Sequence, residues 1–465
     1  MTQINVENPY NQAVMDQVTL SSWDELDTFL QQAHETFVDK AQRTPAHERI
    51  AILNRCAQLM REQKDDLAML IASEGGKPLT DAQVEVDRAI DGVELCAKEL
   101  LNLKGEQIPM DLTVAGSGRL AFTYREPIGP VVAVSAFNHP LNLIVHQVAP
   151  AVAVNCPILI KPANDTPLSA KKFVELLYQA GLEPKWCRFF LAKREDTERL
   201  VSDPRTAFFS FIGSPKVGWY LRSQLAPGTR CALEHGGAAP VIIDSTVDID
   251  SILPSIVKGG FYHSGQVCVS IQRIFVDNTI LEEFTNKLVE LVKRLVVGDA
   301  RNADTDCGPL IRPAECQRVS EWVEEARSSG AKVLVGGRVL SATLYEPTVI
   351  LNPAETLNVS LKEIFGPVVC VYGFDQITDA YQRANDVPFS FQAAVYSNAL
   401  ATVLQAQHAL EASAVMINDH SAFRVDWMPF SGRKQSGYGV GGIPYTMRDL
   451  TEEKMVVIKL PILPL

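Results

Sequence analysis

No two cysteines in this chain stand at C-x-x-C spacing. The nine cysteines (Cys56, Cys96, Cys156, Cys187, Cys231, Cys268, Cys307, Cys316 and Cys370) are scattered and odd in number. Neither a disulfide framework nor a zinc site is indicated, and no metal is expected. Positive charge is in deficit: 43 Lys and Arg stand against 55 Asp and Glu, a net charge of −12. That balance argues against nucleic acid as a partner, and an anionic ligand would need a local Arg or Lys cluster. No apolar run reaches the ~20 residues that cross a bilayer, so no membrane partner is expected. No leader with a basic start and an apolar middle opens the chain. With unpaired cysteines this predicts a reducing, cytoplasmic home. Internal repeats, low-complexity tracts and Pro/Ser-rich linkers are lacking too. Yet 465 residues exceed what one core of up to ~250–300 residues sustains. Two or more tightly docked domains are expected.

What is there begins with an irregular entry over 1–22, with room for one short strand. Three helices are predicted next. Ser22-Trp23-Asp24-Glu25 has the form of a capping box, with apolar residues at helical spacing through Val38. Pro45-Ala46 opens a second helix toward Ala72, and Thr80-Asp81 a third toward Leu103. Residues 119–126 alternate and read as an exposed edge strand. From Ile128 the character changes. Val131–Val134, Pro157–Ile160 and Phe208–Ile212 are short, continuously apolar runs separated by helical segments. That is the rhythm of a parallel sheet covered on both faces. A second series after Gly237 includes Pro240–Asp244, Val333–Gly337 and Val368–Val371. The fold class is α/β, with two α/β domains. Residues 430–442 form a glycine-rich loop, and Met455–Leu460 is a strand with no obvious neighbour.

Three short stretches carry chemistry. Cys268 lies in Gly265-Gln266-Val267-Cys268-Val269-Ser270, at a break between an apolar segment and a strand. Thiolate is the nucleophile, and a free thiol near pKa 8.5 needs help to ionise. Alone, a cysteine among nine is as well read as packing. Upstream, however, Glu234 stands one residue short of a glycine pair in Leu233-Glu234-His235-Gly236-Gly237, and Asn138 stands in Phe137-Asn138-His139-Pro140. Nucleophile, base and amide donor are the parts of an acyl-transfer site. Each also has a plain reading: Asn138 as a turn residue before Pro140, Glu234 as a carboxylate at a strand end.

With these residues in view, the chain resembles the NAD(P)-dependent aldehyde dehydrogenase superfamily from about Asp24 to Pro461. Seven motifs occur in the family's order: Phe137-Asn138-His139-Pro140, Lys161-Pro162-Ala163, Phe211-Ile212-Gly213-Ser214, Glu234-His235-Gly236-Gly237, Gly265-Gln266-Val267-Cys268, Glu363-Ile364-Phe365-Gly366-Pro367, and Pro429-Phe430-Ser431-Gly432. The resemblance implies a Rossmann-type cofactor domain (1–113 and 127–235) and a second α/β catalytic domain (236–429). It further implies a small oligomerisation sheet (114–126 and 449–465), a return to the cofactor domain over 430–448, and a homodimer or homotetramer. By the same resemblance Cys268 attacks an aldehyde, Asn138 and the Cys268 N–H hold the oxyanion, and Glu234 activates the hydrolytic water. NAD or NADP would lie against Lys161, Asn164, Gly213, Ser214, Glu363 and Phe365. No G-x-G-x-x-G follows the strands of the first α/β region; its phosphate site is a strand ending in Gly213-Ser214 before a helix.

Departures from the pattern matter. Asn164 stands where NAD-preferring members commonly have Glu, so repulsion of a 2′-phosphate is absent and NADP is expected to be accepted. His235 replaces a usual Leu, Ser431 a usual Gly, and Val440-Gly441 a common Arg-Glu. His420, Ser421 and Arg424 precede the glycine-rich loop, where the family lines its substrate tunnel. Arg424 suits a carboxylate, sulfonate or phosphoryl group, unless it simply pairs with Asp426. The expected function is oxidation of a short polar or anionic aldehyde to its acid, with succinic semialdehyde as runner-up. A CoA-acylating dehydrogenase, and a non-redox thiol hydrolase pairing Cys268 with His263 or His139, stand as alternatives.

Overall fold

The computed structural model describes residues 2–459. Two sheets organise it. The first holds six strands in the order Gly437–Tyr438, Arg230–Glu234, Phe208–Ile212, Val131–Val134, Ile158–Lys161 and Cys187–Phe189. All neighbours pair in parallel except the edge strand Gly437–Tyr438, which runs antiparallel to Arg230–Glu234. Val131–Val134 and Phe208–Ile212 are adjacent, and the chain leaves them in opposite directions. This is the switch point at which open α/β sheets bind ligands beyond the strands' carboxyl ends. Val132, Phe209 and Leu233 pack on one face of the sheet, and Val131, Ala133 and Ile158 on the other. Burial on both faces explains why these strands are uninterrupted apolar runs.

The second sheet has seven strands: Lys332–Val335, Thr348–Leu351, Val368–Phe374, Ile271–Asp277, Ala239–Ile243, Gln392–Tyr396 and Ala414–Ile417. Only the first pair is antiparallel. A third, three-stranded sheet sets Arg119–Pro127 between Gln107–Ile108 and Thr451–Lys459. The run 119–126, expected at an edge, is thus a middle strand. Its nine-residue pairing with Thr451–Lys459 supplies the neighbour that could not be read from local sequence. The remainder of that C-terminal segment, from Leu460 onward, lies outside the described residues.

The helical expectations need two corrections. The predicted helix from Ala46 to Ala72 is two helices, Ala46–Glu62 and Lys64–Gly75, broken at Gln63 (φ −118°, ψ 24°). The break lets Leu53 and Met60 on one helix, and Leu67 and Ile71 on the other, enter a single core. The third helix runs Leu79–Glu99 and tightens to a 3₁₀ turn through Asn102. Ser22 does close a capping box with Glu25 at the head of Trp23–Val38. The entry is more regular than expected, an antiparallel hairpin of Gln3–Glu7 and Val14–Thr19.

Candidate active site

A cavity of about 570 Å³ opens at the switch point of the first sheet, facing the loop that carries Cys268. Cys268, Glu234, Asn138, Gly213, Ser214, Glu363, Phe365 and Arg424 all contribute to its wall.

The Cys268 loop is built with unusual backbone. Three consecutive residues, His263 (φ 48°), Ser264 (φ 54°) and Gly265 (φ 71°), are left-handed, two of them non-glycine. Such conformations persist only where surroundings over-determine them. Here the Ser264 hydroxyl donates to the Gly308 carbonyl at 2.7 Å. Gln266 donates to the Pro309 carbonyl at 3.2 Å and accepts from the Ile311 N–H at 3.0 Å. Ser421 donates to the Val269 carbonyl at 2.8 Å. Asn138 donates to the Gln266 carbonyl at 2.9 Å, which ties its side chain to the Cys268 loop and leaves its second N–H free.

Burial pushes the Cys268 thiol up to about 12; nearby Arg424 opposes this, and Glu363 and Glu234 add to it. Burial also raises the Glu234 carboxyl, again against Arg424. Glu234 ends its strand and is braced by the glycine-rich loop: His235 N–H donates to the Ser436 carbonyl at 3.0 Å, and Gly437 pairs with Glu234. A Cβ at Gly441 would come within 2.1 Å of Glu234 Oε1, so the residue standing where a Glu is common is the one that leaves room for the base. Gly437 to Gly442 spells G-x-G-x-x-G, but on an antiparallel edge strand and loop rather than after a parallel strand, which is not a dinucleotide turn.

The residues fit a dinucleotide. Ser214 is the N-cap of helix Pro215–Ser223, and its hydroxyl makes no capping bond, so it and the helix N–H groups are free to hold phosphate. Glu363 Oε1 is buried with no protein partner, and burial pushes its carboxyl up to about 8. A Cβ at Gly236 would stand 1.5 Å from that oxygen, so any other residue there would push the Glu363 carboxyl from its place. Phe365 adopts φ 49° and meets Phe137 edge-on at 5.7 Å. Lys161 and Asn164 are beside the cavity rather than in its wall. Lys161 donates to Asn164 Oδ1 at 3.0 Å, and burial brings its ammonium down to about 8. Asp165, the residue after Asn164, does line the cavity, and sequence reasoning missed it.

Arg424 does not pair with Asp426. Asp426 accepts two bonds from Arg88 at 2.7 and 3.1 Å, one from Asn142 at 3.2 Å and one from His146 Nε2 at 2.7 Å. With its Nε2 donating to Asp426, His146 turns the lone pair of Nδ1 toward Arg424 Nη2, 3.4 Å away. Burial and Arg424 together hold the His146 imidazole down to about 4, hence neutral. Arg424 lies 3.5 Å over the Phe430 ring, with its Nε buried and unpartnered. Its charge is therefore left for the cavity. His420 and Ser421 are not in the cavity wall: His420 packs its Cβ against Gly259, and Ser421 is spent on the loop.

No histidine is hydrogen-bonded to Cys268 among the described residues. His139 Nδ1 meets Lys77 at 2.7 Å, and His263 is buried with both nitrogens unpartnered. The thiol hydrolase therefore lacks its base. His235 is packed and neutral, Nδ1 donating to the Gly213 carbonyl at 2.8 Å. No cluster of His, Cys, Asp or Glu suited to a metal occurs among the described residues, and no described helix is long and apolar enough to cross a membrane.

The aldehyde dehydrogenase family model matches residues 1–456. The chain belongs to the aldehyde dehydrogenase family. A 3-sulfolactaldehyde dehydrogenase of Priestia aryabhattai is 34% identical over 459 residues, covering 98% of this chain and 95% of the relative. Aldehyde dehydrogenase 21 of Physcomitrella patens, solved with the reaction product succinate, superposes with a TM-score of 0.95 at 34% identity, covering 98% and 95% of the two chains. The glyceraldehyde-3-phosphate dehydrogenase GapN of Methanocaldococcus jannaschii, solved with NADP, gives 0.93 at 31% identity, covering 98% and 99%. The α/β fold is that of the family, and the chain is an NAD(P)-dependent oxidoreductase.

Proposed function

We propose that this aldehyde dehydrogenase oxidises a short aldehyde bearing an anionic group to its carboxylic acid through a thioester on Cys268. The carrying observation is Arg424, a buried cation in the wall of the cavity that holds Cys268, with Asp426, the carboxylate two residues on, occupied by Arg88, Asn142 and His146. The sulfonate, carboxylate and phosphate implied by the three relatives' names are of the same class.

Cys268 as thiolate adds to the carbonyl carbon. Asn138, with its second N–H, and the Cys268 N–H receive the developing oxyanion, a role in which one donor is worth ~3–4 kcal/mol. When bound, the nicotinamide supplies the hydride acceptor. Glu363 and the Gly213-Ser214 turn would hold it, with Phe365 and Phe137 packed edge-on in the same wall. Glu234 takes a proton from the water that attacks the Cys268 thioester, and burial suits it to that task by raising its basicity. Nine free thiols accord with a reducing, cytoplasmic setting.

The test is a panel of anionic and neutral aldehydes with NAD and NADP, followed by reduced-nucleotide absorbance and product identification. Free acid is expected; a CoA-dependent thioester product would replace this reading with the acylating one. Cys268→Ser is expected to lose more than nine-tenths of turnover while still titrating nucleotide. Glu234→Gln is expected to give a burst of reduced nucleotide followed by a slow steady state.

A further inference from the structure

Behind the nucleophile lies a second, narrow cleft of about 20 Å³ that shares only Cys268 with the main cavity. It runs between the Cys268 loop and strand Gln392–Tyr396 to the exposed side chains of Glu411 and Lys434. Most polar groups in its wall are spent. The Arg273 guanidinium donates to the carbonyls of Ala238, Arg383 and Ala384 at 2.8–3.1 Å. Asn385 donates to Ala409 and accepts from Glu411, Ser390 donates to the Glu411 carbonyl, and Lys434 pairs with Glu411. Gln392 is the exception. Its side chain is 1% exposed, and neither its amide nitrogen nor its oxygen has a protein partner. A buried primary amide with both ends unbonded is destabilising unless something polar meets it. At about 20 Å³ the cleft has room for a single water, which needs ~10–15 Å³.

We propose that Gln392 holds a water in this cleft against Cys268, and that the cleft is a proton outlet for the nucleophile. The proposal rests on Cys268 being the nucleophile. In the step it serves, the Cys268 S–H bond breaks and its electron pair stays on sulfur. The proton passes to the water on Gln392, which releases one of its own protons toward solvent at Glu411 and Lys434. The same water bonds the thiolate once it has formed, so losing it raises the thiol's titration midpoint whether or not the main cavity is filled. The charged groups felt at Cys268 are Arg424, Glu363 and Glu234, and the charged residues that line the cleft are Arg273, Glu411 and Lys434. Gln392 is a positioning residue: it touches the water rather than the substrate.

The test is the rate of Cys268 alkylation by iodoacetamide against pH in full-length protein without nucleotide, with the modified residue mapped by mass spectrometry. Iodoacetamide enters through the main cavity, so narrowing the cleft does not obstruct it. Gln392→Met keeps the volume and removes both hydrogen-bonding groups. It is expected to move the alkylation midpoint up by roughly half a pH unit or more, slowing the reaction about threefold or more below the midpoint. Gln392→Asn keeps an amide and is expected to stay near wild type. An unchanged midpoint in the Met variant, or equal loss in both variants, overturns the outlet. If Gln392→Met does not fold, a wild-type crystal structure decides: no ordered water within hydrogen-bond distance of the Gln392 amide overturns it. Retained turnover in Cys268→Ser would sink the nucleophile instead, so the two failures are separable.

Discussion

Arg424 sits over Phe430 with its Nε buried, and its charge is felt at Cys268 and Glu234 as well as at the substrate position. Arg424→Met therefore has two expected consequences. For an anionic aldehyde, a lost charge-assisted hydrogen bond of about 1.5–3 kcal/mol lowers kcat/KM by roughly 10- to 100-fold, while a neutral aldehyde is nearly spared. For a neutral aldehyde, the pH profile moves. Thiolate and carboxylate are both favoured by the cation, so removing it raises both pKa values, and the rising limb of activity shifts to higher pH. A limb that stays put or moves to lower pH would show that Arg424 does not govern the acid–base groups. At the cofactor, Asn164 takes the Lys161 ammonium by its neutral oxygen at 3.0 Å. Asn164→Glu would hold that ammonium by charge and withdraw it from a 2′-phosphate. The ratio of kcat/KM for NAD over NADP is expected to rise about tenfold, and an unchanged ratio places the choice elsewhere, with Asp165, whose charge is felt at Lys161, the next residue to test. Cys268, Glu234 and Asn138 were legible because each stands in a local pattern of glycine, proline or strand end. Arg88 and Asp165 were not, because their roles come from partners that folding supplies: Asp426 lies 338 residues from Arg88.

Helix Leu79–Glu99 holds the helix that follows Asn138. Glu85 Oε1 accepts from the N–H groups of Leu141 and Asn142 at 2.9 and 3.0 Å, capping Asn142–Ala153 just after Asn138. Its other oxygen meets the buried Lys77 ammonium, which in turn meets His139 at 2.7 Å. Burial pushes the Glu85 carboxyl up, but Lys77 and His139 outweigh it and hold it well below the usual range. Its contribution to stability is therefore present above the ordinary carboxylate pKa and is lost on acidification. Glu85→Gln strands the Lys77 charge and is expected to cost ~3–5 kcal/mol in urea unfolding. Adding Lys77→Met removes the stranded charge and should restore most of it; additive losses in the cycle would show that the pair is not coupled. At this scale the parallel strands were readable because burial on both faces makes them apolar throughout. The entry hairpin was not: Gln3–Glu7 and Val14–Thr19 each turn one fully buried residue inward, Val6 and Val18, so their alternation is faint. The break at Gln63 left no mark either, since no Gly or Pro stands there and both helices keep one apolar face.

At the scale of the whole molecule, one apolar face has no neighbour among the described residues. In the third sheet, Leu120, Phe122 and Tyr124 alternate onto one face with 36–38% exposure. The register sets Ile458 opposite Leu120 and Val456 opposite Phe122 on that same face. Thr451–Lys459 is also an edge strand nine residues long, with a row of backbone groups open on one side. A long edge beside an apolar face is a template for pairing, and monomeric proteins blunt such edges rather than display them. The occupant we propose is a second copy of this chain. The two strands come from sequence positions more than 300 residues apart, so the face exists only once the chain has folded, and association then joins finished protomers. Light scattering on the purified enzyme is expected to give a dimer or tetramer of the 51.1 kDa chain. Phe122→Glu puts a charge at the centre of the face and is expected to lower the mass toward the monomer. The Cys268 cavity is walled by other elements and should still bind nucleotide. A wild-type monomer at micromolar concentration, or a Phe122→Glu variant whose mass is unchanged, would remove the sheet from the interface.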